Sequence, residues 1–327
     1  MKAYVYEYGK HRLKDMPDKQ PGKDEVVVSL KVAGLNRRDL YIANRLGEDK
    51  PALILGSDGA GIITEVGESV TEVKVGDEVI INPSLGWDEK SLSPPEGFEI
   101  LGMPDHGTFA EKIVLNEKQV EDKPAHLTWE EAGVLALSGL TGYRALVTKG
   151  EVKASDTVFI PGAGSGVATY MIQFAKAVGA RVIVTSRDER KRQEALAIGA
   201  DLALDTAGDW EEALKNESID IVIDSVGAAT FNRSLNVLKQ GGKFVLFGST
   251  AGDEVRLNLR EFFYGQFQLL GTTMGSREEL KEMLSFMKEH KIKPVVGHRF
   301  LLDEIEEAFQ LLEINDQFGK IAIQIAD

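Results

Sequence analysis

The chain has 327 residues, enough for two domains with a sizeable core, and a formal net charge of −14. That charge argues against general binding to nucleic acid or to an anionic membrane, since both need a basic face. The chain has no cysteine, which excludes disulfides, thiolate zinc sites and a cysteine nucleophile. The charged N-terminus and the lack of any apolar run long enough to span a bilayer set the expectation of a soluble, cytoplasmic protein with no membrane partner.

Residues 1–125 read as β-rich. Short β-prone runs at 3–6, 25–34, 61–66 and 78–81 are separated by turn residues such as Pro21-Gly22 and Gly76-Asp77. They predict a twisted antiparallel or barrel-like domain, interrupted by glycine-bearing loops at 34–41 and 56–61. The segment 82–107 carries Pro83, Pro94, Pro95 and Pro104 with little periodicity, the pattern of a lid or binding lobe. From Thr128 the pattern changes. Thr128 and Glu131 have capping-box spacing ahead of a helix over 132–137, and Ser138-Gly139-Leu140-Thr141-Gly142 leads into another over 143–148.

Strand and helix then alternate. Strands are predicted at 158–160, 182–185, 202–204, 219–224 and 243–247, with helices at 167–178, 189–198, 210–215 and 231–238 between them. This predicts a parallel sheet covered by helices on both faces, an α/β fold. After an apolar run at 267–271 come a charged helix over 278–289, a strand at 296–300, a short helix at 303–312 and a strand at 320–325. The tail reads as a return to the first domain, giving segments 1–125, 126–272 and 273–327.

The stretch TVFIPGAGSGVATYMIQFAKAVGARVIVTSRDERK, residues 157–191, is the most informative. Val158, Phe159 and Ile160 form a buried-strand run, and Gly162, Gly164 and Gly166 follow at once. Val167, Met171, Phe174, Ala175 and Val178 then recur at helical spacing. A glycine turn between strand and helix lets a backbone come close to a pyrophosphate, which the helix N-terminus then binds through its unpaired N–H groups. Val167 and Ala168 after Gly166 depart from the usual Gly-x-Gly-x-x-Gly, although Ala at the last small position is tolerated. A ligand-free glycine loop is the alternative for the motif alone. NAD-binding units place an acid at the end of the second strand to hold the ribose hydroxyls. Here Ser186 stands there, followed by Arg187, Arg190, Lys191 and Arg192. A hydroxyl and several cations suit a 2′-phosphate, so the expected cofactor is NADP(H). A solvated basic first turn of a helix is the alternative.

Five blocks carry a resemblance over essentially the full length. They are Ala33-Gly34-Leu35-Asn36-Arg37-Arg38-Asp39, Gly56-Ser57-Asp58-Gly59-Ala60-Gly61, Gly107-Thr108-Phe109-Ala110-Glu111, Leu137-Ser138-Gly139-Leu140-Thr141-Gly142-Tyr143 and Asp224-Ser225-Val226-Gly227. Together they resemble the medium-chain dehydrogenase/reductase superfamily and, within it, the zinc-free quinone oxidoreductase-like branch. The resemblance implies a GroES-like β-rich catalytic domain around a Rossmann doubly wound parallel-sheet domain, with the active site in the cleft between them. Zinc-dependent members carry a cysteine in the first block, a His-Glu pair in the second and commonly a cysteine before the Thr-Gly-Tyr block. The matching positions here are Asn36, Ser57-Asp58 and Leu137, and a lone Asp58 cannot hold a catalytic zinc. The expectation is a metal-free site, with His106 a surface-loop histidine.

Without a Lewis acid, the implied reaction is hydride transfer to an electron-poor acceptor, either a quinone or an enone or enal. An enoyl or alkenal double-bond reductase and a non-catalytic NADPH-binding protein are the alternatives. Asn36 is the candidate donor to the acceptor carbonyl, and Tyr41 a candidate hydrogen-bond or proton donor, while Asp39 is expected to order its loop. The resemblance places Thr141 near the nicotinamide and Gly164, Gly166 and Val167 at the pyrophosphate. It puts Ser186, Arg187 and Lys191 at the 2′-phosphate, Gly227, Phe247 and Gly248 along the dinucleotide, and Lys320 within reach of the phosphates. Acceptor specificity is expected from the loops 44–52 and 84–103. The run 267–273 resembles the edge strand through which members pair into homodimers or dimers of dimers.

Overall fold

The strand Glu25–Leu35 organises the N-terminal part of the fold. It is valine-rich and buried along most of its length on both faces, as a central strand must be. It pairs antiparallel with Asp58–Val66, with Lys112–Asn116 and, from the far end of the chain, with Lys320–Gln324. Glu78–Ile81 and Val120–Asp122 extend the sheet on one side and Val296–Leu301 on the other. One core forms around Val26, Val28, Leu30, Ile63, Val79 and Ile113, and another around Tyr4, Leu35, Ile42, Phe109, Phe309 and Ile321. Each such side chain, fully buried, contributes roughly 1.5–3 kcal/mol. The structure is a computed structural model that describes residues 1–47 and 51–326. Glu48, Asp49 and Lys50, part of the expected specificity loop 44–52, lie outside the described residues.

The chain divides into two compact units, Met1–Leu140 with Gly275–Asp327, and Thr141–Met274. The first is the β-rich, GroES-like unit. Thr128 forms the expected capping box with Glu131. The helix it starts is the short Trp129–Gly133, and a second helix, Ala136–Tyr143, takes in Ser138 through Gly142. The glycines that read as a lead-in are therefore helical. At Gly139 a Cβ would lie 3.1 Å from Met283 Sδ, so the missing side chain permits tight packing of this helix. The segment expected as a lid or binding lobe is anchored. Ser84–Leu85 pairs with Glu99–Ile100, Trp87 and Leu101 are buried, and the backbone N–H of Arg277 donates to Trp87 O at 2.8 Å.

The second unit is a six-stranded sheet in which every pairing is parallel. Its order is Leu202–Asp205, Arg181–Ser186, Thr157–Pro161, Ile219–Asp224, Leu238–Leu246, Gln268–Gly271. That is the doubly wound order 3-2-1-4-5-6. The chain reverses direction across the sheet between Thr157–Pro161 and Ile219–Asp224, where ligands bind at the carboxyl ends of the strands in such folds. The edge strand Gln268–Gly271 and the helix Leu259–Tyr264 expose Leu259, Phe263, Tyr264 and Leu269.

Candidate functional site

In the first unit, sheet register assembles a polar cluster. Ile321 pairs with Leu35 and Asp58 with Gly34, so Lys320, Asn36 and Asp58 meet at one end of three adjacent strands. Ser138, from the helix Ala136–Tyr143, completes the group. All four are buried, Lys320 to 2% exposure. The Lys320 ammonium donates to Asn36 Oδ1 (2.5 Å), Ser138 Oγ (3.1 Å) and Asp58 Oδ2 (3.3 Å). Asn36 Nδ2 donates to Asp58 Oδ2 (3.0 Å) and to Gly34 O (3.3 Å), and Ser138 Oγ donates to Asn36 Oδ1 (3.2 Å). Asp58 Oδ1 accepts from the Leu137 N–H at 2.6 Å. The ammonium against Oδ1 and the carboxylate against Nδ2 fix the orientation of the Asn36 amide.

This geometry corrects two expectations. Both N–H bonds of the Asn36 amide are engaged inside the cluster, so Asn36 has none left for a substrate carbonyl and acts as a positioning residue. All three donors of Lys320 are likewise directed at the cluster rather than at a cofactor phosphate. Zinc does not fit the donor set either: the one carboxylate, Asp58, has both oxygens bonded and an ammonium beside it. Among the described residues no three His, Cys, Asp or Glu side chains come close enough together to hold a metal ion.

Around the cluster lies a further layer. The Asp39 carboxyl accepts from the Asn36 backbone N–H at 2.8 Å and so holds the loop as expected, but its Oδ1 has no partner. Burial pushes this carboxyl up to about 7, against the opposing influence of Arg38, the Asn36 N–H and Lys320. Arg38 Nη1 donates to Ser57 Oγ (2.5 Å) and Leu101 O (2.8 Å), and Ser57 Oγ donates to the same carbonyl (2.7 Å). Tyr41 is 41% exposed on the helix Asp39–Leu46. His106 is half-buried, its Nδ1 accepting from the Ile54 N–H at 3.1 Å, and so it is less of a surface residue than expected. Sequence reading missed Ser138 and Arg38 as site residues. The doubled arginine in the loop Asn36-Arg37-Arg38-Asp39 was the available signal for the second.

In the second unit, the glycine turn follows the strand Thr157–Pro161 as expected. Ser165 caps the helix Gly166–Val178 by accepting from the Ala168 N–H, which places Gly166 and Val167 in its first turn. The Lys191 side chain lies over Gly164: a Cβ there would stand 2.6 Å from Lys191 Cδ and 3.4 Å from its Nζ, so a larger residue would displace the lysine. A buried lysine is thus folded back onto the turn. Ser186 ends its strand, and its Oγ accepts from the Asp188 N–H at 3.2 Å. Asp188 turns away to cap the next helix through Arg190 N. Arg192 pairs with Glu189, and Arg190 lies 3.4 Å from Glu194 and 3.7 Å from Asp188. Arg187 is exposed and has no ion-pair partner among the described residues. Gly227, at φ +87°, and Gly248 permit close backbone packing at the ends of two strands. A Cβ at the first would meet Gly252 O at 2.5 Å, and one at the second Ser225 O at 2.8 Å. The turn is tied by buried Asp224, which accepts from the N–H groups of Val226 and Gly227, and Phe247 N donates to Asp224 O. Thr141 is buried in the helix Ala136–Tyr143. The glycine turn, the lysine over it and a strand end bearing a hydroxyl and a free guanidinium fit a dinucleotide with an extra phosphate.

Comparison with known proteins agrees with this architecture. Residues 22–125 match the alcohol dehydrogenase GroES-like domain family, and residues 166–289 match the zinc-binding dehydrogenase family. The chain is 34% identical to the zinc-type alcohol dehydrogenase-like protein YogA of Leptosphaeria maculans, over 93% of this chain and 92% of that one. It is 31% identical to an acryloyl-coenzyme A reductase of Sulfurisphaera tokodaii, over 99% of this chain and 100% of the relative. A crystal structure of an NAD-dependent alcohol dehydrogenase superposes over 100% of both chains, with a TM-score of 0.91 and 36% identity. With both folds and the full length accounted for, the chain belongs to the medium-chain dehydrogenase/reductase superfamily.

Proposed function

We propose that this protein is a zinc-independent, NADPH-dependent reductase of a carbon–carbon double bond conjugated to a carbonyl, acting on an enoyl thioester or a related unsaturated carbonyl compound. The observation that carries the reading is the buried Lys320 ammonium held by Asn36, Asp58 and Ser138, where a zinc-dependent relative would need converging metal ligands. With no metal to stabilise an alkoxide, alcohol oxidation loses its main catalytic device, whereas conjugate reduction needs only a hydride donor, a hydrogen bond to the carbonyl and a proton. The similarity to an acryloyl-coenzyme A reductase supports the enoyl alternative over the quinone that the sequence reading put first.

NADPH, when bound, supplies the hydride. Ser186, Arg187 and Lys191 are proposed to hold its 2′-phosphate, the Gly164–Gly166 turn and Val167 its pyrophosphate, and Thr141, Gly227, Phe247 and Gly248 to line the rest. Asn36, Asp58, Ser138 and Lys320 hold the end of the strand Glu25–Leu35 and the loop after it. Tyr41, part-exposed, is the proposed donor of the proton that completes the reduction. The exposed apolar side chains beside the edge strand Gln268–Gly271 are the proposed homodimer surface.

The test is NADPH oxidation by the purified, chelator-treated protein with crotonyl-CoA, crotonaldehyde and 1,4-benzoquinone side by side. NADPH-selective turnover of the thioester or aldehyde, unaffected by chelation, supports the reading. Preference for the quinone, or activity that returns only with zinc, overturns it.

A further inference from the structure

With the Asn36 amide engaged inside the cluster, the two arginines that follow it are the nearest cationic donors in the loop. Arg37 and Arg38 are consecutive but differently engaged. Arg37 Nη2 donates to Leu312 O (3.4 Å) and Asn315 Oδ1 (3.1 Å), at the C-terminal end of the helix Ile305–Ile314, a favourable place for a cation. Arg38 is half-buried and held by Nη1 alone, through Ser57 Oγ and Leu101 O. Its Nε and Nη2 have no hydrogen-bond partner among the described residues, and neither is sealed from solvent. No carboxylate lies within ion-pair distance of it among those residues. Its charged surroundings are Asp39, Asp58 and Arg45.

The unengaged Nε–Nη2 edge is the one with which guanidinium groups grip oxygen pairs elsewhere in this protein. Arg181 holds Glu217 through Nε (2.9 Å) and Nη2 (2.7 Å), and Arg277 holds Glu121 and Glu72 through the same two nitrogens. The edge is reached by solvent and left unengaged by the protein, and a preorganised cation with two parallel donors is suited to negative charge developing on oxygen.

We infer that the Nε–Nη2 edge of Arg38 is the donor to the carbonyl oxygen of the unsaturated acyl acceptor and holds the enolate oxygen formed during its reduction. This rests on the reading of the protein as a conjugated double-bond reductase. In that step the hydride of NADPH forms a C–H bond at the β-carbon of the acceptor, and the C=C electron pair shifts toward the carbonyl carbon. The carbonyl π pair moves onto oxygen beside Arg38. A proton from Tyr41 or water then adds at the α-carbon and the carbonyl reforms. The acceptor gains one hydride, which carries the two electrons, and one proton, and NADPH becomes NADP⁺. Tyr41, three residues on, has its N–H bonded to Arg38 O at 3.0 Å, so the proposed oxygen donor and proton donor belong to one turn.

The experiment compares wild type with Arg38→Gln, Arg38→Lys and Arg38→Ala on crotonyl-CoA, with NADPH affinity measured separately by fluorescence. Arg38→Gln lowers kcat by about 100-fold or more, the range seen when one oxyanion donor is removed, with NADPH affinity within about twofold. Arg38→Lys keeps the charge without the paired donors and recovers only part of the loss. Added guanidinium salt raises the rate of Arg38→Ala, which a purely structural role for Arg38 does not predict. If wild type turns over and folded Arg38→Gln keeps kcat within about threefold, the inference is overturned while the reductase reading stands. An inactive wild type on every unsaturated carbonyl offered overturns both.

Discussion

The buried cluster of the first unit and the strand ends of the second both gather polar side chains, and they treat their hydrogen-bonding capacity in opposite ways. Lys320, Asn36, Asp58 and Ser138 satisfy one another almost completely: the ammonium has three acceptors, the amide both donors engaged, the carboxylate both oxygens bonded. At the strand ends of the second unit, Arg187 has no ion-pair partner among the described residues, and Ser186 accepts one bond while its hydroxyl proton is free to point elsewhere. A satisfied buried network is architecture, because breaking any member strands the rest in low dielectric. An unengaged donor on an exposed side chain such as Arg187 costs little without a ligand and gains a strong bond with one. Which groups are left over therefore says more about ligand binding than which groups are polar.

The largest effect expected from this contrast is on stability. Lys320→Met leaves the Asp58 carboxylate buried without its cation and destabilises the first unit by about 3–5 kcal/mol, read as a fall in the denaturation midpoint. Adding Asp58→Asn recovers part of the loss. A midpoint unmoved by Lys320→Met breaks the view of the cluster as architecture. Tyr41→Phe does the reverse: it lowers kcat by about 100-fold, the usual contribution of a positioned proton donor, and leaves the midpoint in place. Loss of stability with full activity would put Tyr41 among the structural residues instead.

Next in size is cofactor choice. Arg187→Ala weakens NADPH by about tenfold or more relative to NADH, as expected for one charge-assisted hydrogen bond worth roughly 1.5–3 kcal/mol. Equal weakening of both cofactors removes the assignment of Ser186 and Arg187 to a 2′-phosphate. A fourth effect, read as a pH slope and not as a single midpoint, concerns Asp39. Its folded carboxyl, pushed up to about 7, holds a proton that the unfolded chain releases near its ordinary value of 3.8. The native state thus binds more protons between those values. Its stabilising contribution is complete below about 4 and falls as pH rises toward 7, by at most about 1.4 kcal/mol per pH unit. Asp39→Asn flattens that part of the stability–pH curve, and an identical curve for the variant would show that Asp39 titrates normally.

Much of the architecture is legible along the chain because its signals are local. Thr128 and Glu131 stand three residues apart. The glycine turn lies between a strand and the helix it feeds, and the strand–helix alternation of 158–247 implies a parallel sheet with no long-range information. Ser186, where an acid would otherwise stand, speaks to the cofactor from a single position. The apolar tail at 320–325 suggested a return to the first domain, and the pairing of Ile321 with Leu35 shows how that return is made.

The candidate site was legible only in part, and the misses share a cause. Asn36 and Tyr41 can be named from the sequence, but whether an amide N–H is free depends on neighbours far away. Asn36 meets Lys320 across 284 residues, Ser138 across 102 and Asp58 across 22. Lys320 was read as a phosphate ligand because a lysine at a strand start has no local sign of burial. Arg37 and Arg38 are indistinguishable as letters, and only the placement of Leu312, Asn315, Ser57 and Leu101 separates the arginine that closes a helix end from the one with an open edge. The sequence by itself determined the β-rich character of the N-terminal part and the strand–helix alternation over 158–247, because those follow from periodicity and turn residues. Tertiary structure alone decided which polar groups are engaged, because a hydrogen bond needs two partners within about 3 Å and sheet register, not chain position, brings them there.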